Sequence, residues 1–247
     1  MKIYFFLVVF MITFKIKFAE SPVYINNWVV WNVGQGLWVT HILPDECHHY
    51  DAGGEFGSFK TIKKTLLNYC GYKLNKLNLS HWHYDHFLNI PSLAKSIPKL
   101  CWLNWPEFGH TKKPVQKIFT LNIPTCKKSD TALKIWTPAT AKDMNASSLI
   151  FYTEKVLLTG DSPVQQEKLW VTEFAEPTAT KILILGHHGS RTSTGPHLLN
   201  HLPNLRLSIA SARYAKYKHP HKDTVARLAK FRIPVLKTED WGNIWFK

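Results

Sequence analysis

Four side chains able to bind a metal fall within six consecutive positions of the run LSHWHYDHFLN (79–89), spaced His81-x-His83-x-Asp85-His86. A divalent transition metal takes imidazole nitrogen and carboxylate oxygen at about 2.0–2.2 Å. Two histidines separated by one residue can point the same way as they leave a strand, so His81 and His83 suit one ion. Asp85 and His86, adjacent in the turn that follows, suit a second ion close by. Ions roughly 3.5–4 Å apart need a bridging carboxylate and a further donor from elsewhere in the chain. Asp161, closing LLTGD, and His187-His188, within LGHHGS, supply both. The expected site is two divalent ions, zinc or manganese, held by His81, His83, Asp85, His86, Asp161 and His187. His187 is preferred because it leaves its strand first, and His188 is then expected to orient substrate or brace a ligand. The competing reading of Asp161 is a helix cap after Gly160. A lone histidine among the 13 would carry little, but three within six positions carry a site.

The elements that must position these groups read coarsely from the pattern. NNWVVWNVGQGLWVTHIL (26–43) alternates and is broken at Gly34 and Gly36, which predicts two strands around a tight turn. HHYDAGG is a strand running into a glycine loop. Residues 58–73 have helical apolar spacing, with Ser58 as the expected cap and Gly71 as the stop. KLNLSH is a short strand that delivers the histidine cluster, and 91–145 is cut into short pieces by six prolines. Residues 147–161 predict a hairpin turning at Glu154-Lys155, then a helix over SPVQQEKLW. TKILILGHHGS is a buried strand ending on the histidine pair, and LRLSIASA (205–212) is another strand. A helix over 221–231 and strands in IPVLKT and NIWFK close the chain. Strands alternate with helices and polar clusters fall at strand ends, which predicts an α/β fold of sheets covered by helices, with the site at the C-terminal edge.

The 247 residues suit one domain with a short appendage, and no low-complexity tract or internal repeat is present, which argues against a solenoid. Lys2 precedes the apolar run IYFFLVVFMITF, so residues 1–20 read as a signal peptide or membrane anchor before a domain over 21–247. An exported or membrane-associated location follows as an expectation. The formal charge of +14, from 31 basic against 17 acidic residues, favours an anionic partner such as nucleic acid, an acidic membrane surface or a cell-wall polymer. Cys47, Cys70, Cys101 and Cys126 contain no C-x-x-C pair, which excludes a zinc ribbon or thioredoxin motif. Up to two disulfides in any of three pairings, or four buried thiols, remain open at this point. The ten tryptophans fit strand and core packing better than base stacking.

The motifs NVGQGLWVTH, YDAGGE, LSHWHYDH, SLIFYTEKVLLTGDS, ILGHHGSRTST and YKHPHKDTVARLAKFRIPVLKTEDWGNIWF, in this order, resemble the metallo-β-lactamase-like domain of the ComEC competence proteins over about 28–247. The resemblance implies an αββα sandwich with a metal site at one edge of the sheets, and a hydrolase that acts on DNA during uptake or processing. By the same resemblance Asp51 braces the site, and His219 and His221 of the HPH element serve substrate phosphate or brace the metal ligands. Phosphodiester hydrolysis with water as nucleophile is the expected reaction. Asp85, Asp161, His188, His219 and His221 are its expected catalytic groups, and Ser190, Arg191 and Thr192 help position the phosphate with His219 and His221. Expected partners are DNA, in single-stranded form if any tryptophans stack on bases, and a membrane channel protein. Departures exist: Asn32 and Leu37 replace two acidic positions of the family's D-V-G-Q-G-D, FLN replaces a glycine pair after the histidine cluster, and a ComEC-like set of transmembrane helices is missing from the chain. Two rival expectations stand beside the nuclease: an exported metallo-hydrolase of another phosphoester, a lactam or a cell-envelope ester, and a non-catalytic nucleic-acid-binding or assembly module.

Overall fold

The computed structural model describes residues 26–127, 133–174 and 176–247. The expected leader at 1–20 lies outside the described residues. Chain order is β1 (Asn27–Val30), β2 (Val39–Ile42), β3 (Glu46–Tyr50), α1 (Ser58–Cys70), β4 (Leu74–Asn78), α2 (Tyr84–Phe87), α3 (Ile90–Ser96), β5 (Leu100–Asn104), α4 (Lys113–Phe119) and β6 (Lys134–Trp136). It continues with β7 (Ile150–Thr153), β8 (Val156–Leu158), α5 (Val164–Glu173), β9 (Ile182–Ile184), α6 (Pro196–Asn200), β10 (Leu207–Ala210), α7 (Tyr214–Tyr217), α8 (Lys222–Lys230), β11 (Val235–Lys237), α9 (Thr238–Trp241) and β12 (Ile244–Phe246).

The strands form two sheets, in the orders β12-β1-β2-β3-β4-β5 and β11-β10-β9-β8-β7-β6. Side chains alternate between the faces of a strand, and the buried residues divide accordingly. In β1, Val29 packs with Phe59, Ile62 and Leu66 of α1 and with Ile90 and Leu93 of α3. Its neighbours Trp28 and Val30 turn the other way, into a cluster shared with Phe151, Val156, Ile184 and Ile209 of the second sheet. In β9, Leu183 faces Trp170 of α5, Leu198 of α6 and Leu228 of α8, while Ile184 faces the first sheet. Three apolar layers separated by two sheets make an αββα sandwich.

The predicted hairpin turns at Glu154 and Lys155, both at positive φ (47° and 69°), the geometry that suits a two-residue hairpin. Ser58 is not the cap of α1. Gly57 precedes the helix at φ 83°, and Ser58 is its first residue, with its Oγ accepting from Asn89 Nδ2 at 3.0 Å. The cysteines are paired: Cys47 of β3 joins Cys70 at the end of α1, and Cys101 of β5 joins Cys126, with Cα–Cα distances of 5.9 and 5.0 Å. Among the described residues no helix is long and apolar enough to cross a membrane.

Neighbouring strands β3 and β4 run parallel, as do β8, β9 and β10. Their C-terminal ends therefore share one edge of the sandwich. Asp51 follows β3, the histidine cluster follows β4, Asp161 follows β8, the histidine pair follows β9 and Ser211 follows β10.

Candidate metal centre

The loop carrying the histidine cluster is held by its backbone. The Asp85 carbonyl accepts from Leu37 N and Gly54 N, both at 2.9 Å. A Cβ on Gly53 would lie 1.7 Å from that carbonyl, so no other residue fits. The glycines of GQG and AGG thus let two loops close around the loop that presents Asp85 and His86.

Asp161 sits at the middle of the donors, fully walled in, with its two oxygens facing different partners. Its Oδ2 lies 3.6 Å from His81 Nε2 and 3.6 Å from His187 Nε2. His81 Nε2 is in turn 3.1 Å from His83 Nδ1. Its Oδ1 lies 3.1 Å from His86 Nε2 and 4.0 Å from His188 Nε2, and His188 Nε2 is 3.1 Å from Asp85 Oδ2. Donors bound at 2.0–2.2 Å to one tetrahedral ion stand roughly 3.3–3.6 Å apart. The spacings fall around that range, and the sets His81/His86/Asp161 and Asp85/His86/His188 each gather one donor atom per residue within 4.8 Å.

The proton inventory points the same way. His86 Nδ1 donates to Asp51 Oδ2 at 2.7 Å, which leaves Nε2 with a lone pair aimed at the Asp161 oxygen. Both His86 Nε2 and Asp161 Oδ1 are buried, and neither makes a hydrogen bond. Two buried lone pairs facing each other are costly unless a cation stands between them. His188 Nδ1 is committed to the Ser211 carbonyl at 2.9 Å, so its Nε2 also presents a lone pair inward. Asp51 accepts in addition from Ser80 N (2.7 Å) and Ser80 Oγ (2.8 Å), locking the orientation of His86. The residues present therefore fit a pair of divalent ions.

Burial, together with the neighbouring His86, pushes His81 well below its ordinary value, which favours the neutral ligand form. Burial also opposes charge on His86, but with no cation between Nε2 and Asp161 the carboxylates of Asp161 and Asp51 outweigh it and hold this group well above the usual histidine range; a metal ion would take the place of that Nε2 proton and leave the neutral ligand form. Burial would raise Asp161, yet His86 and His81 hold it well below the ordinary carboxylate range.

His187 and His188 reach different halves of the site because both have left-handed backbone, at φ 50° and 56°. Consecutive non-glycine residues there are uncommon and cost energy. The turn splays the imidazoles, with His188 buried against Asp85 and His187 partly exposed beside His83 and Asp161. His188 thus stands among the donors as well as His187.

Of the other expected site residues, Ser190 Oγ meets Thr192 Oγ1 at 3.0 Å, and Thr192 Oγ1 meets His187 Nδ1 at 3.3 Å. Arg191 is exposed beside them. His219 lies over the pair, with its ring centroid 6.1 Å from that of His187. His221 caps α8: its Nδ1 accepts from Asp223 N at 3.2 Å. The Leu37 side chain is buried between the sheets while its backbone N–H holds the Asp85 carbonyl, and Asn32 N is bound by Asn243 Oδ1.

Sequence reading missed several supports. Gln35 Oε1 accepts from Arg213 N at 3.2 Å, which leaves Nε2 to donate to His219 Nδ1 at 3.0 Å. His219 is thereby held with its proton on Nε2, and burial, with His188 and His187 nearby, lowers it to about 4. Arg227 donates to the carbonyls of Arg191, Ser193 and Thr194, and Glu167 accepts from Thr194 N and Gly195 N, clamping the loop after the histidine pair. Gln35 was legible as the residue enclosed by the GQG glycines. Arg227 and Glu167 are single charges on amphipathic helices and carry no local signal.

The fold is that of the metallo-β-lactamases. Over 89% of the chain it superposes on 98% of the metallo-β-lactamase fold protein YhfI from Bacillus subtilis, with TM-score 0.57 and 12% identity. It also superposes on 54% of a CmlA β-hydroxylase variant, with TM-score 0.55 and 11% identity, again over 89% of this chain. In sequence the chain is similar to competence proteins of the ComEC kind. It is 27% identical to Recombination protein 2 of Haemophilus influenzae over 230 residues and 27% identical to competence protein ComA of Neisseria gonorrhoeae over 225 residues, alignments that cover 86% and 88% of this chain. A shorter match, 32% identical over 107 residues and 42% of this chain, is to ComE operon protein 3 of Bacillus subtilis. The chain spans only 28% and 31% of the first two relatives. No family model matches the chain.

Proposed function

We propose that the chain is a metal-dependent phosphodiesterase that cleaves nucleic acid, in an exported or membrane-associated setting. The observation that carries this reading is Asp161, whose two oxygens each face a separate group of inward-pointing lone pairs. When bound, divalent ions supply Lewis acidity toward a phosphoryl oxygen and make water a stronger nucleophile near neutral pH.

The chain's own groups do the rest. His81 and His187 face one oxygen of Asp161, with His83 beside His81, while His86 and His188 face the other, with Asp85 beside His188. Asp51 fixes the His86 ring, and Ser211 fixes the His188 ring. Neutral His219, oriented by Gln35, offers Nε2–H as a donor to a phosphoryl oxygen above the donors. Ser190 and Thr192 orient His187. The formal charge of +14 attracts a polyanion and makes binding fall with salt. Two disulfides form where oxidants are available, which supports export. The relatives named for competence and recombination support DNA as the substrate.

The test is a panel on purified protein with Zn²⁺ or Mn²⁺: single-stranded oligonucleotide, bis-p-nitrophenyl phosphate and a β-lactam. Cleavage of the first two, abolished in the paired variant His81→Ala/Asp161→Ala, is expected. Turnover of the lactam alone, or nucleic-acid binding without turnover of any substrate, would replace this reading with one of its rivals.

A further inference from the structure

We infer that the exposed face made by α7, the loop 218–221 and the start of α8 is a docking track for single-stranded nucleic acid. The destination of the strand rests on the proposed function, but the track itself stands on separate observations.

The segment RYAKYKHPHK (213–222) carries Arg213, Lys216, Lys218 and Lys222, two tyrosines and no acidic residue. Tyr214 and Tyr217 are 45% and 40% exposed. Lys216 Nζ lies 4.8 Å from the Tyr217 ring centroid, and Lys218 and Lys237 lie 5.5 and 5.7 Å from that of Tyr214. Each ring is thus paired with cations. An unpaired strand presents the matching sequence of base faces and phosphates, and proteins that hold such strands combine stacking rings with a basic groove. Beside Tyr214 an apolar groove runs over Pro220, Val225 and Val235, with Lys222 and Lys237 on its rim. A planar base fits a concave apolar floor with cations at its edge. A duplex hides its base faces, and a bilayer anchor needs a protruding apolar face.

The face is anchored at both ends. Glu239 accepts from Tyr214 N (2.6 Å) and Ala215 N (3.2 Å), fixing α7 to the body. At the other end His221 N donates to the Gly189 carbonyl at 2.8 Å, and a Cβ on Gly189 would stand 2.5 Å from Pro220 Cβ. Lys218 immediately precedes His219, whose ring centroid lies 6.1 Å from that of His187. Arg213 and Lys216 face Glu55, and Lys237 faces Asp240. Among the described residues Lys218 and Lys222 make no ion pair; Lys218 Nζ donates to the Ala215 carbonyl at 3.3 Å, a neutral partner that leaves its charge for phosphate.

The test is fluorescence anisotropy on the metal-loaded full chain with a phosphorothioate oligothymidine of roughly 20 nucleotides, which resists cleavage, against a duplex of the same length and phosphatidylglycerol vesicles. The variants are Tyr214→Ser/Tyr217→Ser and Lys218→Gln/Lys222→Gln, and melting temperatures verify folding. Wild type is expected to prefer the single strand to the duplex. The tyrosine pair should weaken binding about tenfold or more. The lysine pair should flatten the slope of log affinity against log salt by about 1.4. Unchanged oligonucleotide binding in the folded lysine pair, preference for duplex, or binding to vesicles alone would overturn the inference. Weakened binding in the variants with no cleavage of any phosphodiester by wild type would sink the proposed function and leave the track standing.

Discussion

His86 Nε2 and Asp161 Oδ1 face each other across 3.1 Å in a fully buried pocket, and neither has a hydrogen-bond partner. The proton of His86 is on the far side of the ring, held by Asp51. Two buried acceptors this close, from the loops after β4 and β8, are the arrangement that a cation between them would satisfy.

Asp161→Asn keeps shape and removes the charge that both donor groups share. Metal content measured by mass spectrometry should fall from two ions per chain to one or none, and kcat/KM should drop by at least about 100-fold, since this carboxylate faces both groups. Full metal content in the variant would contradict the shared role.

Asp51→Asn tests the brace. Asn tolerates the left-handed backbone at this position, where φ is 58°, so the fold should persist. Loss of the anionic partner of His86 should weaken metal affinity by about 10–100-fold in a competition titration against a chelator. Unaltered affinity would show that Ser80 alone suffices.

Gln35→Leu removes the donor that fixes the His219 tautomer. The expected outcome is a fall of about tenfold in kcat for phosphodiester cleavage, with metal content unchanged. Gln35→Glu, which restores an acceptor for Arg213 N but cannot donate to Nδ1, should fail to rescue it.

Acid should destabilise the fold away from the metal centre. Burial lowers His41 to about 3, with His48 adding to the shift, and burial lowers His49 to about 4. Their folded values lie below the unfolded one of 6.5, so the unfolded chain binds more protons between about pH 4 and 6.5. Stability is complete above pH 6.5 and falls as the pH drops through that window, by about 1.4 kcal/mol per pH unit for each histidine once its unfolded form is protonated. Urea titrations between pH 7.5 and 4.5 measure it, and His49→Gln should flatten the curve.

Replacing Cys47 and Cys70 by alanine frees a link across 23 positions of sequence. Loop-closure entropy puts the cost at about 3 kcal/mol, or roughly 10 °C in melting temperature. A fully reduced wild type that melts where the oxidised protein does would refute the contribution.

The alternation of apolar residues and the placing of His81, His83, Asp85, His86, Asp161 and the 187–188 pair at strand ends are local properties, so the sequence pattern by itself determined sheets covered by helices and the residues able to bind metal, while the αββα class followed from the resemblance of its ordered motifs. Strand period and turn chemistry depend on neighbours along the chain. What the tertiary structure decided depends on how two sheets pack. His187 and His188 part toward different oxygens of Asp161 because two left-handed residues follow each other. His219 gains a fixed tautomer from Gln35, 184 positions away. The cysteine pairing joins β3 to α1 and β5 to the segment beyond α4. Trp28, Trp31 and Trp38 are consumed by strand packing, whereas Tyr214 and Tyr217 on α7 stay exposed among lysines. Each of these is set by distances between residues remote in sequence, and only packing fixes such distances.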